Sequence, residues 1–258
     1  MNILQSIMAE RRADAEAAEQ RIPLSELRKL ASGRTRHSLA KVLASDQGTR
    51  VIAEINKASP SAGLLKPDYQ PTAIARAYEA AGAAGISVLT EPRHFQGQDQ
   101  DLRDVRSAVR LPVLRKDFVC NPYQVYETAA LGADVILLIV AALDAKLLRT
   151  LYDEAVACGL TVLVESHTAE ELKRALELEK AILGVNSRNL KTLKTDLAVA
   201  RELAAMIPKN RLAIAESGIR TRADIEALER LGYRGFLIGE VLMSAPDPAA
   251  KLKVLVHG

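Results

Sequence analysis

Eight short apolar, β-branched runs recur along this chain, and most of them end in a residue able to do chemistry. VIAE ends in Glu54, ISVLT in Thr90-Glu91, PVLRK in Lys116 and LTVLVE in Glu165. ILGVN ends in Asn186, LAIAE in Glu216 followed by Ser217-Gly218, and FLIG in Gly239; only DVILLIV, residues 134–140, runs out without such a residue. Apolar runs with polar C-terminal ends, separated by helical segments, describe an α/β chain folded as a single (β/α)8 barrel. Its active site is then expected on the C-terminal rim of the strands.

The spacing predicts strands over 51–56, 85–90, 112–117, 134–140, 160–165, 181–186, 211–216 and 235–239. Strand starts recur every ~20–35 residues, as repeated βα units require. Residues 1–46 carry apolar residues at helical spacing, with Pro23 as a first-turn residue. They form an expected N-terminal helical extension packed on the barrel, and 47–258 the barrel itself, one domain overall. The chain has 258 residues, and barrels of this kind typically take ~250. Thr168, with Glu171 three residues on, is the expected cap of the helix after the fifth strand.

Charge and cysteine usage narrow the partners. Net charge is +3, with both signs interspersed and no basic stripe carrying aromatics, so nucleic acid is excluded. A mild positive balance suits an anionic small-molecule substrate. Cys120 and Cys158 form no Cys-x-x-Cys motif, and a cytoplasmic location follows as the expectation. The four histidines have no metal-ligand spacing, and the chain has no dinucleotide fingerprint, so neither metal nor cofactor is expected. No apolar run reaches the ~20 residues that span a bilayer, so no membrane partner is expected. A monomer is the working expectation for assembly.

Side chains alternate faces along a strand. Glu54 and Asn56 therefore share a face, with Lys57 on the other, and Lys116 and Glu165 each lie two residues beyond an apolar position of their own strand. A lysine and two glutamates converging on one mouth perturb one another's pKa values, which suits proton transfer. ESGI (216–219) and LIGE (237–240) close the last two strands, where this fold often holds phosphate on backbone N–H groups. Ser59 lies in the hydroxyl-rich SPSAG loop and Arg188 just beyond Asn186; an arginine there can pair with a carboxylate in bidentate fashion. Taken singly, these features also read as rim salt bridges, ordinary turns and a solvated arginine.

Together, IAEINKASPSAG, SVLTEPRHFQG, LPVLRKDFVCNPYQVYE, GVNSRNL, AESGI and FLIGEVLM resemble the bacterial indole-3-glycerol phosphate synthases of tryptophan biosynthesis, in order from about 51 to 243. The resemblance implies a cofactor-free carbon–carbon lyase. Its substrate would be 1-(2-carboxyphenylamino)-1-deoxyribulose 5-phosphate, its products indole-3-glycerol phosphate, CO2 and water. It implies Lys116 as the acid at the substrate carbonyl oxygen, Glu165 as the base of the dehydration, and Glu54 as a hydroxyl anchor that orients the lysine. Asn186 and Arg188 would fix polar groups, the anthranilate carboxylate among them, with Glu216 beside them. Ser59, Ser217, Gly218, Gly239 and Glu240 would grip phosphate. Phe95, Leu137 and Leu237 would face the aromatic ring. One position departs from the family pattern Glu-x-Lys: Asn56 stands where the inward lysine is expected, so a labile proton and a cation are missing there. Two alternatives stay open: a Schiff-base sugar-phosphate aldolase with Lys116 as nucleophile, and a substrate-binding barrel whose turnover is reduced or lost through Asn56.

Overall fold

Period-two alternation closes this chain on itself. The computed structural model describes residues 3–45, 48–190 and 192–258. Eight parallel strands form its closed barrel: β1 Val51–Ile55, β2 Gly85–Leu89, β3 Val113–Lys116, β4 Val135–Ile139, β5 Thr161–Ser166, β6 Ile182–Asn186, β7 Ala213–Glu216 and β8 Gly235–Ile238. Each strand pairs with its neighbours in sequence, and β1 closes on β8 with Ile52 opposite Leu237. All eight coincide with the expected runs to within two residues at either end.

One file of side chains per strand turns outward and packs under the helices: Val51, Ala53 and Ile55 of β1, Ile136 and Leu138 of β4, Val162 and Val164 of β5. The alternate file turns inward, where Ile52, Leu114, Leu137, Leu163, Ile182, Ile214 and Leu237 form a second, separate cluster. Leu39 and Leu43 of α3 (Leu39–Ala44) belong to that inner cluster and plug the N-terminal end of the barrel. The interior is thus filled from below, and space opens only at the C-terminal mouth.

The outer helices are α4 (Pro71–Ala80), α5 (Asp99–Ala108), α6 (Pro122–Leu131), α7 (Ala145–Ala157), α8 (Ala169–Leu176), α9 (Ala198–Ala204), α10 (Arg222–Arg230), the single turn α11 (Glu240–Met243) and α12 (Pro248–His257). Thr168 caps α8 as expected, accepting the Glu171 N–H at 3.2 Å. Two features were not anticipated. The loop after β1 carries a small hairpin, Ala58–Ser59 against Gly63–Leu64, and α11 intervenes before the last helix. Pro23 also sits at the N-cap of α2 (Leu24–Ala31) rather than in its first turn. The 46/47 boundary expected from the sequence lies outside the described residues, as do Met1, Asn2 and Lys191.

Helix α1 (Ile3–Arg21) lies on the C-terminal rim, fixed by a buried clamp. Arg11 donates to both oxygens of Asp117, at 2.9 and 2.7 Å. Asp117 also accepts the Thr90 hydroxyl at 2.6 Å and lies 3.3 Å from the Arg115 guanidinium. Arg115, fully buried, reaches Asp99 and Glu127, each at 2.8 Å. Burial alone would push the Asp117 carboxyl up; Arg115, Arg11 and the Thr90 hydrogen bond together hold it below its ordinary value. A bidentate Asp14–Arg93 pair at 2.6 Å and a Glu10–His94 contact at 3.0 Å add an outer strap from α1 to the loop after β2.

Breaking a buried ion pair strands the remaining charges, at a typical cost of ~3–5 kcal/mol. Asp117→Asn is expected to lower unfolding stability by about that much at neutral pH, read by chemical denaturation. Because the folded pKa of Asp117 is depressed, its contribution is present above the unfolded value of ~3.9 and is lost as pH falls through the folded one. The gap between wild type and variant should therefore narrow below pH ~4. Equal denaturation midpoints at neutral pH would dismiss the clamp as a stabilising element.

Candidate active site

Following the inward files upward, six of the eight strands change from apolar to polar residues or glycine near their C-terminal ends, while β2 and β4 carry Leu89 and Ile139 to the mouth. Ile52 is followed two residues on by Glu54 and then Asn56. Leu114 leads to Lys116, Leu163 to Glu165, Ile182 to Gly184 and Asn186, Ile214 to Glu216, and Leu237 to Gly239. These upper positions, Gly184 excepted, line a cavity of about 200 Å³ at the barrel mouth. Every candidate named from the sequence lines it: Glu54, Asn56, Ser59, Phe95, Lys116, Leu137, Glu165, Asn186, Arg188, Glu216, Ser217, Gly218, Leu237, Gly239 and Glu240. Lys57 does not; its carbonyl accepts the Leu65 N–H at 2.9 Å at the base of the hairpin.

Lys116 is the electrostatic centre. Its ammonium donates to Glu165 Oε2 at 2.8 Å and to Glu216 Oε2 at 3.0 Å. Burial would strip its proton, but Glu165, Glu216 and Glu54 outweigh burial and raise its pKa above the ordinary lysine value. The two partners split. Burial pushes Glu165 up, yet Lys116 and His167 hold it below the usual carboxylate range. Glu216 is raised, because burial and the neighbouring Glu165 charge outweigh the shared lysine. Glu54 is raised chiefly by burial. It is held by the Ser87 hydroxyl, which donates at 3.2 Å, so the lysine's direct orienting partners are Glu165 and Glu216 rather than Glu54.

Close packing fixes these carboxylates. A Cβ on Gly184 would stand 2.3 Å from Glu216 Oε1, and one on Gly239 would stand 2.6 Å from Glu54 Oε1. Among the described residues, Glu216 Oε1 and Asn56 Oδ1 are buried acceptors without a hydrogen-bond partner. Both belong to residues lining the cavity, so both suit a ligand that brings donors.

The mouth has a polar side and an apolar side. On the polar side Ser217 (φ +64°) and Gly218 (φ +83°) both adopt left-handed backbone, a strained choice for serine of ~1–2 kcal/mol. That turn, the Gly239 segment and Ser59 border one region of the cavity. Arg188 crosses it, donating to the Ser61 hydroxyl and to Glu240 Oε2 at 2.7 Å. Its backbone N–H binds Asn186 Oδ1 at 2.9 Å, so the amide carbonyl of Asn186 is taken by the chain and its NH2 is left for the cavity. On the apolar side Phe95 and Phe118 lie 6.1 Å apart between ring centres, tilted by 37°. Leu137, Leu237 and Leu190 continue that wall.

Three groups of residues were missed from the sequence. Ile3, Leu4 and Ile7 of α1 line the cavity, a contact that no local pattern announces. Arg11 and Asp117 hold that helix in place. His167 lies directly behind the pair, with Nε2 3.3 Å from Glu165 Oε1 and Nδ1 3.2 Å from Glu171 Oε2. Its spacing from Glu165 (two residues) and from Glu171 (four) was the available signal. Glu10, Glu91 and His94 also bring ligand atoms within 4.8 Å of one another. The Glu91 carboxylate, however, accepts the backbone N–H groups of Arg93, His94 and Phe95 at 2.7–2.9 Å, so this trio is engaged in holding the β2 loop against α1.

Comparison with known proteins agrees with this geometry. A (β/α)8 fold is shared with a thiamine phosphate pyrophosphorylase from Pyrococcus furiosus, at 16% identity and a TM-score of 0.59 over 80% of this chain and 93% of that one. It is shared also with a structure described as native KDPGal, at 19% identity and a TM-score of 0.55 over 81% and 96%. Two curated relatives are far more similar in sequence. One, from Azospirillum brasilense, is 52% identical over 206 residues, covering 80% of this chain and 79% of its own. Another, from Rhodospirillum rubrum, is 46% identical over 260 residues, covering 99% of each. Both bear the name indole-3-glycerol phosphate synthase. The family model of that name matches residues 4–255, and the chain belongs to the indole-3-glycerol phosphate synthase family.

Proposed function

We propose that this chain converts 1-(2-carboxyphenylamino)-1-deoxyribulose 5-phosphate into indole-3-glycerol phosphate, CO2 and water, as a carboxy-lyase of tryptophan biosynthesis. The observation that carries the reading is the Lys116 ammonium, fixed by two buried carboxylates at the mouth of a cavity with one apolar and one polar wall. Ring closure puts negative charge on a carbonyl oxygen. A preorganised ammonium in a site of low dielectric stabilises that charge and donates its proton. Decarboxylation then needs no cofactor, because the ring iminium formed by closure takes the electrons. Dehydration needs an acid for the leaving hydroxyl and a base for the adjacent CH2, and Glu165 is the base.

The remaining roles follow from position. Ser59, Ser217, Gly218, Gly239 and Glu240 surround the phosphate, with backbone N–H groups as donors. Arg188 and the Asn186 amide hold the carboxylate and neighbouring polar groups. Phe95, Leu137 and Leu237 cover the aromatic ring. The free thiols of Cys120 and Cys158 fit a reducing cytoplasm. No helix among the described residues is long and apolar enough to cross a membrane.

An indole-fluorescence assay with the carboxyphenylamino-deoxyribulose phosphate tests the reading, and absence of indole product would sink it. Lys116→Ala is expected to lose at least the ~10²–10⁴-fold that a positioned acid supplies, while substrate binding by calorimetry persists. A variant that kept more than a tenth of the wild-type rate would remove Lys116 from the acid role. Inorganic phosphate is expected to compete with substrate at tens of millimolar, read from KM at rising phosphate concentration. A flat KM would count against a phosphate site at the 217–218 and 239–240 backbone.

Asn56 supplies a sharper test. Asn56→Lys would add a charge-assisted contact to the substrate carboxylate, roughly twice the strength of a neutral hydrogen bond. Turnover is expected to rise at least ~10-fold, or ~1.4 kcal/mol of transition-state stabilisation. Lys57→Ala, outside the cavity, should change it little. The reverse pattern would assign the catalytic cation to Lys57.

A further inference from the structure

The proposed reaction has a proton deficit. The carbonyl oxygen of the substrate leaves as water, so it must gain two protons. One is recovered when the CH2 carbon beside the nitrogen loses a proton to form the indole double bond. The substrate carboxylate leaves as CO2 and takes none. Each turnover therefore draws one proton from solvent. The cavity mouth is a poor entrance for it, because bound substrate occupies the space in front of Lys116.

Behind Lys116 a line of groups leads outward. Lys116 Nζ is 2.8 Å from Glu165 Oε2, and Glu165 Oε1 is 3.3 Å from His167 Nε2. His167 Nδ1 is 3.2 Å from Glu171 Oε2. Side-chain exposure is 15% at Lys116, which faces the open mouth, and behind it rises from 3% at Glu165 to 9% at His167 and 18% at Glu171. Among the described residues His167 Nε2 is buried without an aligned hydrogen-bond partner, so its hydrogen is not committed elsewhere. The Glu171 carboxylate also accepts the His167 backbone N–H at 2.7 Å, which fixes the residue at the start of α8. The charged groups facing the ring are Glu165 from β5 and Glu171 from α8, with Lys116 of β3 beyond Glu165.

We propose that His167 is a positioning residue that aims Glu165 and carries the solvent proton from Glu171 to the Lys116–Glu165 pair. Lys116 gives its proton to the carbonyl oxygen and is recharged from Glu165. Glu165 takes one proton from the substrate CH2 and a second, in a separate step, from His167 Nε2. That leaves the ring neutral with its remaining proton on Nδ1, and the ring turns so that the vacated Nε2 takes a proton from solvent on the Glu171 side before it swings back. No oxidant, reductant or co-reactant other than water is needed. Burial would lower the His167 pKa, but Glu165 and Glu171 raise it to about 9, so the ring holds both protons at neutral pH.

This inference rests on the proposed reaction. The test uses His167→Gln, which keeps bulk and polarity but cannot relay, and His167→Ala, which opens room for a free imidazole. In the fluorescence assay both variants are expected to lose at least ~10-fold in kcat with KM within ~3-fold of wild type. Added imidazole should restore turnover to His167→Ala in a concentration-dependent way, while leaving His167→Gln and wild type unchanged. Wild-type kcat in His167→Gln, or a loss in His167→Ala that imidazole does not repair, would overturn the relay. Thermal melts of both variants report folding separately. If the wild-type chain itself made no indole product, the reaction assigned above would be at fault rather than His167.

Discussion

One ammonium shared by two buried carboxylates governs this structure. Lys116 lies between Glu165 and Glu216 at 2.8 and 3.0 Å, and both carboxylates are almost fully buried. Taking such charges out of water costs several kcal/mol per ion unless each finds a partner. The barrel meets that demand by geometry. Three strands bring three inward positions to the same level, so the charges meet without any loop having to order around them. The apolar inner cluster below, from Ile52 to Leu237 with Leu39 and Leu43 beneath, keeps water from reaching the pair from the far side. A polar pair on a dry floor is strongly coupled, and that coupling separates the Glu165 and Glu216 pKa values in opposite directions.

The same logic explains why α1 belongs to the site. A barrel mouth with three carboxylates and a lysine is open to solvent unless something covers it. Ile3, Leu4 and Ile7 extend the apolar wall, and the helix that carries them is held by Arg11 on Asp117. Asp117 follows Lys116 directly, and Arg115 precedes it. Three consecutive residues thus serve two purposes. The middle one faces the chemistry; its neighbours anchor the cover over that chemistry. A shift of β3 by one residue would exchange the two, so the clamp also pins the register on which the lysine depends.

How much of this was legible in the sequence follows from the range of each interaction. The barrel was legible because alternation is a local signal: Ile52-Glu54, Leu114-Lys116, Leu163-Glu165 and Ile214-Glu216 repeat one apolar-to-polar step at strand ends. The turns at Ser217-Gly218 and Gly239 were legible for the same reason. The Arg11–Asp117 pair spans 106 residues, and nothing near Arg11 distinguishes it from Arg12. The hairpin at Ala58–Leu64 and the single turn α11 are too short for periodicity to show. His167 had a usable spacing to Glu165 and Glu171, but a lone histidine at a helix start reads as a capping residue until its two carboxylates are seen to face it.

Asn56 gains its meaning from the charge count of the finished site. Glu54, Glu165 and Glu216 share one ammonium, and a neutral amide stands where a second cation would balance them. The His167 cation adds to Lys116 only beside Glu165, so Glu54 and Glu216 have too little positive charge nearby to offset their burial. The protein answers by keeping Glu165 ionised while Glu54 and Glu216 move toward their protonated forms. A carboxyl whose pKa is raised takes up a proton more readily, and becomes a donor when it does. A lysine at 56 would pull both carboxyls back toward ionisation. Changing this one residue therefore shifts the proton affinity of the whole mouth, and its effect on rate measures how far the chemistry draws on that affinity.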